Sequence, residues 1–316
     1  MPTTAERQAL RSALLATPAT PTGTVIEPGR AVFVGSGDSL ASALIATAAG
    51  HRALSAGDVT WNGTVPAGCD TLVGISHSGT SGATVRALRI ARDAGLRTVA
   101  VTSQPGSPLA DSADTVQKVP TLAVEEVVPC AGHLMLAQGV AAVCGTDTST
   151  VNADLAAALD RVCTLVDAAA AELPAAMPAA VSVLSLPELR AGADFWSLKI
   201  IEACGLAVRS VPLEESGHVD YFIGPEAHLT VQLLGPRGRA RFDRLAGALR
   251  TTGQTVRQVD AAHLVDASGP RADLVRDLAV AVAGTWFADE ARRRWGRPPF
   301  RGGAVNMDAS HIKIEV

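Results

Sequence analysis

The sequence predicts an α/β protein made of two doubly wound, parallel-sheet units in tandem, followed by an irregular C-terminal tail. Three observations carry that expectation. Short Val/Ile/Leu runs alternate with Ala-rich segments at helical spacing. The alternation stops at a long Ala-rich helix closed by prolines and then starts again. The 316 residues, 47% of them apolar, are enough to bury two cores.

Residues 5–16 read as a short amphipathic helix, and Pro18, Pro21, Gly23 and Pro28 mark a linker before the first strand. Strands are expected at 31–34, 52–55, 71–75 and 97–101, with helices at 39–50, 82–94 and within 131–143. Segment 151–172 is one helix, stopped by Leu173-Pro174 and by Pro178. The second round places strands at 181–186, 207–212, 228–234 and 255–259, and helices at 193–204, 239–251 and 271–288. The expected divisions are therefore 1–29 (helix and linker), 30–146 (first α/β domain), 147–177 (linker helix), 178–290 (second domain) and 291–316. That last segment holds Gly296, Pro298, Pro299, Gly302 and Gly303 and is expected to be irregular and to close over the active site.

A formal charge of −4 without any Lys/Arg run argues against a nucleic-acid partner, which needs clustered cations. The start Met1-Pro2-Thr3-Thr4 lacks a basic segment followed by an apolar one. Every long apolar stretch is broken well short of about 20 residues, so a cytoplasmic protein without a membrane partner is expected. Cys69, Cys130, Cys144, Cys163 and Cys204 are odd in number and never spaced Cys-x-x-Cys. The seven histidines show neither His-x-His nor His-Glu-x-x-His, so no disulfide framework, no metal and no cofactor is expected. Lys118, Lys199 and Lys313 are the only lysines among 27 basic residues. Arginine is the default solvated cation here, and each lysine poses a specific question.

The most chemical stretch is Leu72-Val73-Gly74-Ile75 running into Ser76-His77-Ser78-Gly79-Thr80-Ser81-Gly82 and then a helix. Hydroxyls and free backbone N–H groups at a helix N-terminus make an anion cradle. Neutral donors, with no Lys or Arg in the turn, suit a sugar phosphate that must later leave. Ordinary capping by Thr80 or Ser81 is the alternative, but one cap needs one hydroxyl and this turn supplies four. A second polar turn, Gly35-Ser36-Gly37-Asp38-Ser39, follows the first strand. A dinucleotide fingerprint would place a third glycine where Leu40 stands. Two polar turns at one edge of a parallel sheet converge on one crevice. The second unit has no such loop: its turns read Leu186-Pro187-Glu188 and Gly235-Pro236-Arg237.

These turns, with Thr102-Ser103-Gln104-Pro105-Gly106-Ser107, resemble the sugar isomerase (SIS) domain family of phosphosugar-binding proteins. The resemblance covers residues 30–145 and, more loosely, 180–316, where the chain looks like the isomerase half of glucosamine-6-phosphate synthases. It implies two flavodoxin-like SIS subdomains. It also implies that Ser76, Ser78 and Ser81 hold the phosphate, with His77 where the synthases have glutamine, and that Ser36, Gly37, Asp38 and Ser39 face the sugar. Glu125 and Val128-Pro129-Cys130 fall on a segment that lines the same pocket in the family.

In Trp196-Ser197-Leu198-Lys199-Ile200-Ile201-Glu202 the resemblance puts the isomerase base on Glu202, with Lys199 beside it. Lys199 and Glu202, three residues apart, share a helical face, and an exposed ion pair is the alternative reading. His218, in Glu214-Glu215-Ser216-Gly217-His218-Val219-Asp220, matches the ring-opening histidine, carried in the family on a loop that serves the neighbouring subunit. The resemblance thus implies a homodimer; a surface-loop histidine is the alternative. The chain departs from the synthases at Phe195, where they have glutamate, and at Ala309, where they have lysine; His311 and Lys313 are the substitutes at hand. No glutaminase half is expected, since the chain opens on Met1-Pro2 rather than on a cysteine.

A carbonyl moves between C1 and C2 of a sugar when one carboxylate carries a proton between the carbons through an enediol. Burial beside the cleft would raise the pKa of Glu202 toward neutrality. The expected function is therefore a phosphosugar aldose–ketose isomerase. An amino-sugar-phosphate deaminase and a non-catalytic phosphosugar sensor are the alternatives.

Overall fold

A computed structural model describes residues 4–223 and 227–298. Parallel strands covered on both faces read as unbroken apolar runs, and the central strands of this chain obey that rule: every residue of β1 (Ala31–Gly35) and β3 (Thr71–Ile75) is buried. In chain order the elements of the first round are α1 (Thr4–Ala16), β1, α2 (Asp38–Leu44), β2 (Arg52–Ser55), α3 (Ala56–Asn62), β3, α4 (Gly82–Asp93), β4 (Arg97–Thr102), α5 (Pro108–Asp111), β5 (Thr115–Lys118), α6 (Ala131–Val143) and α7 (Val151–Ala171). The second round is β6 (Ala180–Ser185), α8 (Arg190–Cys204), β7 (Ala207–Pro212), α9 (Leu213–Val219), β8 (His228–Leu234), α10 (Arg239–Thr251), β9 (Thr255–Asp260) and α11 (Pro270–Arg294).

The chain forms two compact units. The five-stranded unit comprises residues 13–124 and 131–153. The four-stranded unit takes 4–12, 125–130 and 154–298 as far as these are described, so the division runs through α1 and α7. The first sheet has the order β2-β1-β3-β4-β5 and the second β7-β6-β8-β9, all pairs parallel. In each, the strand order reverses beside the first strand, between β1 and β3 or between β6 and β8. That switch point is where ligands sit in open α/β sheets, outside the strands' carboxyl ends. Val32, Val34, Leu72, Leu88 and Leu109 centre the first core, and Leu184, Leu213, Leu234, Phe242 and Leu249 the second. Among the described residues no helix is long and apolar enough to cross a membrane.

Several elements differ from the sequence expectation for identifiable reasons. The helix expected over 39–50 is α2 followed by a tighter 3-10 turn, Ile45–Ala49, where the Thr47 hydroxyl donates to the Leu44 carbonyl. Helix α3 was hidden in a polar stretch and is started by a Ser55/Asp58 capping box. Strand β5 escaped because only Gln117 of its four residues is buried, as befits an edge strand. Helix α8 starts three residues early, led in by a 3-10 turn at Pro187–Leu189 and held by an Arg190–Asp194 pair at 2.9 Å. The histidine segment expected as a loop is helix α9, whose first turn carries Glu214 and Glu215 against the positive end of the helix dipole. Helix α11 runs to Arg294, past the expected start of the tail at 291, with Arg292 and Arg293 both paired to Asp289 in its last turns. The expected tail closure, with Ala309, His311 and Lys313, lies outside the described residues.

Candidate functional site

In the five-stranded unit, the turns after β1 and β3 leave adjacent strands that are in register as Val34↔Gly74. The first depends on Gly35, where a Cβ would stand 2.6 Å from the Ser39 backbone, so no side chain fits. Gly37 is the N-cap of α2 and offers it no side-chain cap. Ser36 and Gly37 are exposed, and Asp38 and Ser39 are half-buried at the helix start.

The second turn is built by its own hydroxyls. Ser76 is buried, and its Oγ accepts from the Gly79 N–H at 3.1 Å, leaving its own proton to donate. The Ser78 and Thr80 hydroxyls pair at 2.9 Å, and the Thr84 hydroxyl donates to Ser81 Oγ at 3.1 Å. Ser81 is the N-cap residue of α4 yet makes no side-chain cap, so the capping alternative does not account for the four hydroxyls. The positive ends of α2 and α4 therefore stand uncapped by side chains on neighbouring strands at the switch point, a place suited to an anion. Gly79, at φ +66°, folds the turn so closely onto Ser107, the N-cap of α5, that a Cβ would meet the Ser107 Oγ at 1.9 Å.

His77 faces the start of α6, where its ring lies 3.3 Å from a Cβ built on Gly132, and burial lowers its pKa. Burial thus favours the neutral imidazole, in keeping with a turn of neutral donors. The His77 carbonyl accepts from the Thr102 and Ser103 hydroxyls at 3.1 and 2.9 Å, which ties the downstream turn to the cradle.

One nearby residue escaped the sequence reading. His133 is buried on α6, its Nδ1 2.9 Å from Ser42 Oγ. Since Ser42 Oγ donates to the Asp38 carbonyl at 3.0 Å, His133 Nδ1 carries the proton and donates. A lone histidine inside an apolar helix gave no signal of this.

In the four-stranded unit, α8 carries Lys199 and Glu202, and their Nζ and Oε2 are 2.8 Å apart. The burial falls on the cation: Lys199 is 0% exposed and the Glu202 side chain 31%. This corrects both the bare exposed-pair reading and the expectation that burial acts mainly on the carboxylate. Phe195 explains one departure from the synthase pattern. Its buried ring lies 4.8 Å beneath Lys199 Nζ, so an aromatic face stands near the ammonium where a carboxylate was expected. Trp196, stacked on Phe287 with centroids 5.0 Å apart and donating to the Val280 carbonyl at 2.6 Å, locks α8 onto α11.

The segment 125–130 belongs to this unit as well, although the residue it contributes is not the expected Glu125, which is exposed. Glu126 Oε1 accepts from the Cys130 backbone N–H at 2.9 Å and from its thiol at 3.0 Å. Burial, then Glu126, pushes the Cys130 pKa up, while Thr285 and Lys199 pull against that rise, so the thiol stays protonated close to the lysine.

His218 is exposed on the last turn of α9, followed by Val219, Tyr221 and Phe222, which are 41, 49 and 83% exposed. The second switch point opens on a cavity of about 670 Å³ whose charged lining includes Glu188, Asp266, Asp273, Arg237 and Arg276. Three carboxylates against two arginines, with Glu188 and Arg237 paired at 2.8 Å, do not make an anion cradle.

Residues 69–141, most of them in the five-stranded unit, match the model of the SIS domain family. No curated protein sequence matches the chain significantly. Among solved structures, a glucosamine-6-phosphate deaminase from Thermotoga maritima superposes with a TM-score of 0.70 at 17% identity, covering 90% of this chain and 92% of that one. A tagatose-6-phosphate ketose/aldose isomerase from Escherichia coli gives 0.68 at 18% identity, over 96% and 91%. The C-terminal domain of a glucosamine-fructose-6-phosphate aminotransferase from Francisella tularensis gives 0.66 at 14% identity, over 94% and 95%. At these identities the likeness is one of fold.

Proposed function

We propose that this SIS-domain protein is a phosphosugar aldose–ketose isomerase working through an enediol, with Glu202 as the base. The observation that carries the reading is the Lys199–Glu202 pair. A fully buried lysine on a half-buried carboxylate contributes little to stability, because desolvation offsets attraction, so a chemical duty is the better account of it. Glu202 takes a proton from the carbon beside the carbonyl, and the Lys199 ammonium paired with it can balance the enediolate oxygen. The donors of Ser76, Ser78 and Ser81 hold the phosphate, with Ser36, Gly37, Asp38 and Ser39 facing the sugar. His218 passes the proton that opens the ring. The working form in this reading is a cytoplasmic homodimer in which His218 serves the neighbouring site; the exposed Val219, Tyr221 and Phe222 beside it supply apolar surface for the partner.

The test is a panel of pentose, hexose and amino-sugar phosphates, screened for stabilisation and then for turnover. Glu202→Gln is expected to lower turnover of the converted sugar by roughly 10²–10⁴-fold, the usual contribution of a positioned base. Equal rates in variant and parent would remove Glu202 from the mechanism. The fold shared with the Thermotoga maritima deaminase keeps a second reading in play, release of ammonia from an amino-sugar phosphate using the same base. Ammonia from glucosamine 6-phosphate would select it, and binding without any turnover would select a sensor.

A further inference from the structure

The four-stranded sheet carries a buried polar cluster that none of the proposed chemistry uses. Ser182 on β6 is in register with Arg209 on β7, and His228 opens the neighbouring strand β8 two positions before the partner of Ser182, on the same face. Ser182 is 0% exposed, and its Oγ donates to Asp220 Oδ1 at 2.9 Å. With its own proton given to Asp220, Ser182 Oγ accepts from Arg209 Nε at 3.2 Å and meets His228 Nε2 at 3.1 Å, which assigns the proton of His228 to Nε2. Arg209 also pairs directly with Asp220 Oδ1. Gln254 completes the cluster, its Nε2 donating to the Asp220 carbonyl at 2.7 Å and to the Ile223 carbonyl at 2.9 Å.

All of these bonds converge on one short segment. Asp220, itself 0% exposed, opens the 3-10 turn Asp220–Phe222 directly after α9, two residues beyond His218. Around it Val219, Tyr221 and Phe222 are exposed, so apolar packing does not hold this turn to the sheet; the polar cluster does. A cluster selected for stability alone would be an odd choice, since buried ion pairs contribute little net stability. In addition, Asp220 Oδ2 is buried without a hydrogen-bond partner among the described residues. What a fully buried, multiply bonded carboxylate supplies well is fixed geometry.

We infer that Asp220, oriented by Ser182 and Arg209, is a positioning residue for His218: it fixes the end of α9 so that the imidazole is presented at one height and angle. This inference rests on the proposed role of His218 and assigns no contact between Asp220 and substrate.

The experiment uses the full chain and the panel sugar phosphate that it converts fastest. Asp220→Asn is expected to lower kcat about 10- to 100-fold with KM within about threefold, the scale of a misplaced catalytic group. His218→Ala falls at least as far, and Asp220→Asn adds nothing in the His218→Ala background. Arg209→Lys keeps the charge but cannot donate from both Nε and Nη2, and is expected to lose about 3- to 10-fold. It carries the test if Asp220→Asn does not fold. Losses that multiply in the double variant, or full turnover in both Asp220→Asn and Arg209→Lys beside an impaired His218→Ala, overturn the positioning role alone. Full turnover in His218→Ala overturns the reading of His218 on which it rests, and the positioning role with it.

Discussion

Replacing Gly79 by alanine tests the link between backbone geometry and anion binding. Three costs arise at one atom. A β-carbon at φ +66° costs about 1–2 kcal/mol for an L-residue. The same carbon would stand 1.9 Å from Ser107 Oγ and 2.3 Å from Ser107 Cβ, and overpacking of this kind costs about 1–3 kcal/mol. Pushing Ser107 aside breaks its bond from the Ala110 N–H and so the cap of α5, about another 1 kcal/mol. Alanine returns roughly 0.4–1 kcal/mol through the unfolded chain. The net expectation is a loss of about 2–6 kcal/mol, read in urea unfolding of parent and variant, with weakened phosphosugar binding in an isothermal titration. Because the clash is with one side chain, Gly79→Ala combined with Ser107→Gly should recover part of the loss. A penalty under about 1 kcal/mol with undiminished binding would refute the close packing of the turn on Ser107.

Other outcomes are equally specific. Asp277 is buried, accepts from the Gly192 N–H at 3.0 Å, and burial raises its pKa to about 7. Its stabilising contribution is therefore complete below about pH 3.8 and is lost as pH rises through about 7. Asp277→Asn should be about 2–4 kcal/mol more stable than the parent at pH 8 and converge with it near pH 4, by unfolding at both pH values. Burial lowers the pKa of His51, His77 and His228 below 6.5, so their contribution is present above pH 6.5 and lost as pH falls through their depressed values. Replacing His51 with glutamine should flatten the loss of stability between pH 7 and 5. Lys199→Met leaves Glu202 partly hydrated and puts a thioether over Phe195. Stability should hold or rise by about 1–2 kcal/mol while turnover drops at least tenfold. A variant that is less stable but fully active would make the pair structural.

The alternation of apolar runs and Ala-rich helices was plain in the sequence because the central parallel strands are buried on both faces, and burial of that kind leaves an uninterrupted apolar signature. Strand β5 lacked the signature, since an edge strand with one buried residue need not be apolar. Helix α9 was hidden for another reason: Gly217 and the charged pair Glu214-Glu215 read as loop, whereas acidic residues in a first turn favour a helix. At the site, the serine turn was legible because four hydroxyls round a glycine have few other uses. The depth of Lys199 was not. Spacing places two side chains on one face but does not say which face the neighbouring α11 covers. The shift from Glu125 to Glu126 is of the same kind, a matter of which adjacent carboxylate a turn of backbone brings to Cys130.

The described thiols are all free, and most are shut away. Burial pushes both Cys144 and Cys204 up to about 12, so at pH 8 only about one in 10⁴ of either is the reactive thiolate in the folded chain. One lies in the five-stranded unit and the other in the four-stranded unit. Pulse alkylation followed by peptide mass spectrometry would therefore time the opening of each unit separately within one molecule. The two labelling rates would say whether the five-stranded and four-stranded units unfold as one cooperative body or as two.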